Sequence, residues 1–377
     1  MKKLLYLKIL VLLSFSIRLN AQTPLFGNEF HVKINGLAFD AMEPFISTDG
    51  NALFFNSIND GTTTSLYYAS KVNDSTFNFI GPVPVVNQTV TPRLDAVASV
   101  DSLNNFYWVS TRNYPANSEN LQRVRFLTSS YTNFGPLHGN FYIPLPGWII
   151  MDAGINFSGD QLIYCNAFFN GCVNSSPCRA SLGLANKAND STFNKDSNTN
   201  IIMANVNDTA NYIVYAPALT KDGLELYYTR LLKNSTQTQI MVATRSNTVT
   251  AFSAGSVLIG APYIVPEAPT LSSDKTKMYY HRKNGALFEI YLRYRTGTSG
   301  IHKNVPDAGF EIYPNPTSGP VYIRSNKDLN ITVYNTLGDL FLRTRSNNFD
   351  LTDLLPGVYI INLSDHTMNK TVKLIKQ

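Results

Sequence analysis

The sequence of 377 residues predicts an all-β protein, a β-propeller of about five blades followed by a small second β-domain. Three observations predict it. Short runs of Tyr, Phe, Val and Ile alternate with Gly, Asn, Asp and Pro, and no long segment repeats apolar residues at i, i+3, i+4 and i+7. A strand–turn–strand unit recurs through most of the chain. A stretch rich in Gly, Ser and Thr then leads into a second block of short strands. Aromatic residues make up 12% and charged residues only 15%, so Asn, Ser and Thr must supply much of the polar surface. Their side chains compete for nearby backbone groups and favour turns over helix interiors.

The first 21 residues read as a secretory signal. Lys2 and Lys3 form a basic start, Ile9 to Ile17 an apolar run, and Ala21 a small residue for cleavage before Gln22. The run is too short to span a bilayer, no Cys follows it to take a lipid, and no later segment has 18 consecutive apolar residues. The expected mature chain has no transmembrane segment. The net charge of +5 falls to +1 once Lys2, Lys3, Lys8 and Arg18 are removed with the signal. No Lys/Arg cluster follows, which argues against nucleic acid as a partner.

Five segments align over residues 22–295, the expected propeller. They begin Glu43-Pro-Phe-Ile-Ser-Thr-Asp-Gly, Asp95-Ala-Val-Ala-Ser-Val-Asp-Ser, Asp152-Ala-Gly-Ile-Asn-Phe-Ser-Gly, Ala216-Pro-Ala-Leu-Thr-Lys-Asp-Gly and Ala268-Pro-Thr-Leu-Ser-Ser-Asp-Lys. Turn positions Asp49, Asp101, Ser158, Asp222 and Asp274 are 52, 57, 64 and 52 residues apart. Gly50, Gly159 and Gly223 supply the positive φ a tight turn demands. Paired bulky residues follow, such as Phe54-Phe55 and Tyr227-Tyr228, so both faces of that strand must be covered. Third strands follow at 66–70, 239–244 and 287–292, and a fourth at 78–81. The last unit stops near Tyr294. The strand-like run Glu29 to Phe39 is expected to supply its missing outer strand and close the ring.

The pattern Pro-x-Leu/Ile-Ser/Thr-x-Asp-Gly-x-x-Leu-Tyr-Tyr resembles the TolB-type, WD40-like propeller repeat over residues 40–295. Repeats two and three depart from it, lacking the Pro and the Asp-Gly pair respectively. The resemblance implies the fold and says almost nothing about function.

Residues 296–309 read as a linker. Beyond it, Tyr313-Pro314-Asn315-Pro316, the Leu351-to-Tyr359 run with Gly357 and Tyr359, and the ending Lys373-Leu-Ile-Lys-Gln377 resemble the type A sorting domain of Bacteroidetes type IX secretion substrates. The resemblance implies a small Ig-like β-sandwich over 310–377 that engages the type IX machinery and is then removed, leaving the protein secreted or on the outer cell surface. Asp-Ser/Thr pairs at Asp74-Ser75, Asp101-Ser102, Asp190-Ser191 and Asp208-Thr209 resemble the O-glycosylation acceptor of the same bacteria. They read equally well as turn chemistry.

One constellation points to chemistry. Glu43, Asp95 and Asp152 each precede their turn position by six residues and Glu267 by seven, a register near the mouth of a propeller's channel. Two such carboxylates serve acid/base work on a sugar, or bind a cation. The commoner role of an acid in this register is to bond neighbouring blades. Gly-x-Ser-x-Gly, His-Glu-x-x-His and Gly-rich phosphate loops are absent. The five His are scattered, and no cofactor or metal site is expected. Cys172 and Cys178 are the disulfide candidates, with Cys165–Cys172 the competing pair. Closing the shorter loop stabilises by roughly 2–3 kcal/mol. Trp108 and Trp148 suit either sugar stacking or core packing. The reading is a secreted or surface binding or scaffold propeller whose protein or glycan ligand is unknown. The alternative is an extracellular carbohydrate-active enzyme using two of the four acids.

Overall fold

The computed structural model describes residues 23–127, 130–172, 176–296, 310–325, 328–335, 338–365 and 369–377. The signal segment and almost all of the expected linker lie outside the described residues. The chain divides between Arg295 and Thr296 into two compact units.

The first unit is a five-bladed β-propeller. Its inner strands are Met42–Ile46, Arg93–Val100, Trp148–Ile155, Tyr212–Leu219 and Ile264–Leu271, one per sheet. Each pairs antiparallel with the strand after its turn, respectively Ala52–Asn56, Asn105–Ser110, Gln161–Phe168, Glu225–Leu232 and Lys277–Asn284. Gly50, Gly159 and Gly223 turn at φ +74°, +75° and +69°, while Asn104 and Lys275 take positive φ in the other two blades.

The paired bulky residues show how the blades hold together. Phe55 packs toward blade 5 and Phe54 toward blade 2, Tyr227 toward blade 5 and Tyr228 toward blade 3, and Tyr279 and Tyr280 likewise split. Five apolar clusters result, one in each junction between successive blades, including the junction of blade 5 with blade 1. The ring is therefore closed by burial and not only by backbone pairing.

The N-terminal segment closes it in a form the sequence reading placed imperfectly. The outer strand of blade 5 is Leu25–His31, not a run from Glu29 to Phe39, and it pairs beside Leu287–Thr296. The chain then crosses to blade 1, where Lys33–Asn35 runs parallel to Thr76–Pro82. A run of alternating residues carries no mark of where it changes partner, so a single strand was expected where two exist. Glu29 fastens the first of them: it pairs with Arg282 at 2.7 Å and accepts the Tyr280 hydroxyl.

The second unit has two sheets. Phe310–Tyr313, Pro320–Ser325 and Asn348–Asp350 form one; Leu340–Thr344, Asn330–Asn335, Gly357–Ser364 and Asn369–Lys376 form the other. Val321, Ile323, Ile331, Val333, Ile361, Leu363 and Leu374 from both sheets make one core. Asn315 of the Pro314-Asn315-Pro316 segment holds the last strand: its side chain donates to the Lys373 carbonyl at 2.8 Å and accepts the Ile375 N–H at 2.9 Å. Tyr359 is buried, its hydroxyl bonding the Leu355 carbonyl at 2.8 Å, while Gly357 is exposed.

Candidate functional site

Every inner strand of the propeller carries a bulge, where its pairing register shifts. At four of the five, a non-glycine residue takes positive φ: Glu43 at 51°, Val97 at 56°, Ala216 at 47° and Ala268 at 52°. Such backbone persists only where surroundings hold it. Here the surroundings are side chains of the preceding blade, which accept the N–H that the bulge frees. His281 Nδ1 takes Glu43 N–H at 3.0 Å, Asn56 takes Val97 N–H at 3.4 Å, Asp152 takes Ala216 N–H at 3.1 Å and Thr229 takes Ala268 N–H at 3.0 Å. At the remaining junction, Ser99 takes the Ile155 N–H at 3.2 Å.

Three of the four expected acids meet in this layer. Asp152 is buried and bonded to blade 4. Glu267 accepts the Tyr215 hydroxyl of blade 4 at 2.5 Å and lies 3.5 Å from His281 Nε2. Because His281 Nδ1 accepts a backbone N–H, the neutral ring carries its proton on Nε2, facing Glu267. Glu43 accepts from Asn59 at 2.8 Å through Oε1, whereas its Oε2 is buried with no partner. Burial, then the nearby Asp152 and Glu267 charges, push the Glu43 carboxyl well above the usual carboxylate range. Burial and the Glu267 charge push Asp152 up to about 7, against the lowering pull of the Ala216 N–H. Burial and Glu267 raise the Tyr215 hydroxyl likewise.

Asp95 is not among them. It is buried in blade 2, where it pairs with Arg112 at 3.0 Å and accepts bonds from Trp108 Nε1 and the Gln88 backbone. The reason is a register error in the second repeat. Asp101 does not stand where Asp49 stands; it stands where Ser47, Asn156, Thr220 and Ser272 do. All five accept the N–H of the first residue of the next strand. Moving the alignment by two places puts Val97, not Asp95, opposite Glu43 and Asp152.

Sequence reasoning missed Tyr215, His281, Asn56 and Asn59. A signal existed for two. Asn56 and His281 both follow a paired aromatic and are buried polar residues in an otherwise apolar strand.

Glu43 and Asp152 line a cavity of about 110 Å³ in the channel. Phe45, Ile46, Val97, Ile155, Pro217 and Leu271 are among its walls, which run to Thr48, Phe157, Lys221 and Ser273 at the turn end. No group of His, Cys, Asp and Glu among the described residues has a metal-holding arrangement. Cys172 and Cys178 are joined by a disulfide, their Cα atoms 5.4 Å apart, and Cys165 is a buried free thiol. Trp108 is buried in the blade 1–2 junction, and Trp148 packs on Phe168. No helix among the described residues is long and apolar enough to cross a membrane.

The second unit has a match in sequence. Residues 311–377 match the family described as the secretion system C-terminal sorting domain. No curated protein matches the chain. Solved structures resemble the propeller. One described as a glycoside hydrolase aligns with a TM-score of 0.50 at 10% identity, covering 75% of this chain and 96% of its own. Zg3597, a family 117 glycoside hydrolase produced by the marine bacterium Zobellia galactanivorans, gives 0.47 at 11%, covering 72% and 90%. TolB from Acinetobacter baumannii gives 0.37 at 10%, covering 68% of this chain and 55% of its own. At these identities the likeness is one of fold. Fold and tail define a class: an exported β-propeller with a type IX sorting domain. The sorting domain marks it for secretion or display on the outer cell surface.

Proposed function

We propose that the mature protein is an extracellular binding module, a rigid propeller that holds its ligand without transforming it. The carrying observation is that two channel acids, Asp152 and Glu267, are tied into the joints between blades by their carboxyls, and Glu43 by its backbone N–H. Glu267 bonds Tyr215, Asp152 bonds the Ala216 N–H, and the Glu43 backbone bonds His281. A site that acts on substrate needs groups free to face it. Size agrees: the cavity holds about 110 Å³, against roughly 300 Å³ or more for sites enclosing drug-sized ligands. The test is retention of the secreted chain on glycan and peptide arrays with the eluate examined for cleavage products. Specific retention with intact ligand is expected; release of shortened product overturns the reading.

One observation favours a second reading, a carbohydrate-active enzyme. Burial and neighbouring charge push the Glu43 carboxyl well above the usual carboxylate range beside Asp152, itself raised to about 7, and paired carboxyls of unequal proton affinity serve as general acid and base. The glycoside hydrolases of similar fold carry no weight here beyond the fold. If the Glu43→Gln and Glu267→Gln variants each abolished a measured turnover, this reading would replace the first.

A further inference from the structure

An open β-sheet has two edges, and an edge left bare beside apolar side chains is a template for another strand. The four-stranded sheet of the second unit treats its two edges differently. Asn369–Lys376, at one end, is covered by the segment that follows Pro314. Asn315 bonds the Lys373 carbonyl and the Ile375 N–H, the Thr317 N–H donates to the Ile375 carbonyl at 2.8 Å, and the Gln377 N–H donates to the Thr317 carbonyl at 2.9 Å. Leu340–Thr344, at the other end, pairs on its inner side with Asn330–Asn335, and among the described residues no strand pairs with its outer side. Leu340 and Phe341 on this strand are 49% and 48% exposed. The apolar surface continues beyond them. The Phe341 ring meets the Tyr359 ring edge-on at 5.8 Å, and the Tyr359 hydroxyl fixes the Leu355 carbonyl while the Leu355 side chain stands 80% exposed. Leu351 and Leu354 of the same turn pack in the core, so the fold uses those two and leaves Leu355 outside.

We propose that the Leu340–Thr344 edge, with Leu355 beside it, is the surface by which the export machinery holds the sorting domain, and that the element holding it is an extended apolar segment added to the sheet as a further strand. Main-chain bonds along a free edge give such an addition its affinity, and side-chain contacts give it specificity. A sorting domain must be recognised through something it exposes. Asn315 and Thr317 are occupied with the opposite edge, Tyr359 is buried and Gly357 has no side chain. In the run from Leu351 to Tyr359, Leu355 is the apolar side chain that stands free in solvent and packs in no core. Charge narrows the partner. Arg343 on the same strand is exposed and, among the described residues, joins no ion pair, so the added segment carries a carboxylate to meet it.

The inference rests on the family match of the tail and is independent of what the propeller binds. The full chain is produced in a bacterium that has type IX secretion, and surface display is followed by immunodetection beside the amount of uncleaved chain kept inside. A Phe341→Ser, Leu355→Ser double variant is expected to lose display about tenfold and to accumulate uncleaved, with its thermal midpoint unchanged because both side chains are largely outside the core. Arg343→Glu should lower display severalfold. Tyr322→Ser, which alters a 42% exposed aromatic of the other sheet, should display as wild type does. Wild-type display of the double variant overturns the proposal, and so does equal loss in Tyr322→Ser, which would mean that any change to the tail stops export. Should the double variant fail to fold, Arg343→Glu decides, since it alters only an exposed charge, and its undiminished display overturns the proposal. Phe341→p-benzoylphenylalanine keeps an aromatic ring at the edge and separates the occupants. Light-induced cross-linking to an envelope protein, weakened by Arg343→Glu, is expected; cross-linking of one copy of the chain to another overturns the proposal in favour of self-association.

Discussion

Replacing Asp152 by Asn tests the electrostatics of the channel in a single side chain. The amide keeps an oxygen for the Ala216 N–H, 3.1 Å away, so the joint between blades 3 and 4 survives. What it removes is the titration. In the folded protein Asp152 keeps its proton to about 7, against an ordinary 3.8. Between those values the folded state binds more protons than the unfolded one, so stability falls as pH rises through the window. Three pH units at 1.36 kcal/mol each give a loss of roughly 4 kcal/mol by pH 7, an upper figure because Glu43 and Glu267 share the response. Urea unfolding of both proteins at pH 5, 6, 7 and 8 measures it. The stability difference should move steadily in favour of the variant up to pH 7 and then level. A difference that stays constant across that range refutes the reasoning.

Three other outcomes follow from the contacts. Removing Leu25–His31 strips the outer strand from blade 5 and bares Leu287–Thr296; size-exclusion chromatography should show aggregation, and a monomer of unchanged thermal stability would contradict the closure. Asp95→Ala leaves Arg112 partly buried without its partner, a loss of roughly 3–5 kcal/mol for a buried pair, read as a lower urea unfolding midpoint; an unchanged midpoint would contradict it. Asn315→Ala removes both side-chain bonds to the final strand. Less of that protein should reach the cell surface by immunodetection, and equal display would separate Asn315 from sorting.

Much of the architecture is readable in the residues, because a propeller repeats its local chemistry. Turn glycines mark the hairpin in three of the five repeats and paired aromatics the strand in four, and their two-sided packing follows from period-two geometry. The second repeat misled because Asp101 resembles the turn aspartates in type while doing the work of Ser47. Composition cannot distinguish an acid at a turn's apex from one capping the next strand. That two-residue slip carried Asp95 into the candidate site. His281 and Tyr215 escaped notice for another reason. Their partners, Glu43 and Glu267, lie 238 and 52 residues away; ring closure brings the first pair together and the packing of blade 5 on blade 4 the second.

The account's central claim is that Asp152 and Glu267 fasten blades and that the propeller holds a ligand without turning it over. The most direct measurement compares the secreted wild-type chain with a Glu43→Gln, Asp152→Asn, Glu267→Gln variant against a panel of polysaccharides and peptides, following product release. Equal, background-level release from both is the predicted result. Release by the wild type that the triple variant loses, with its fold intact by circular dichroism, would contradict the claim.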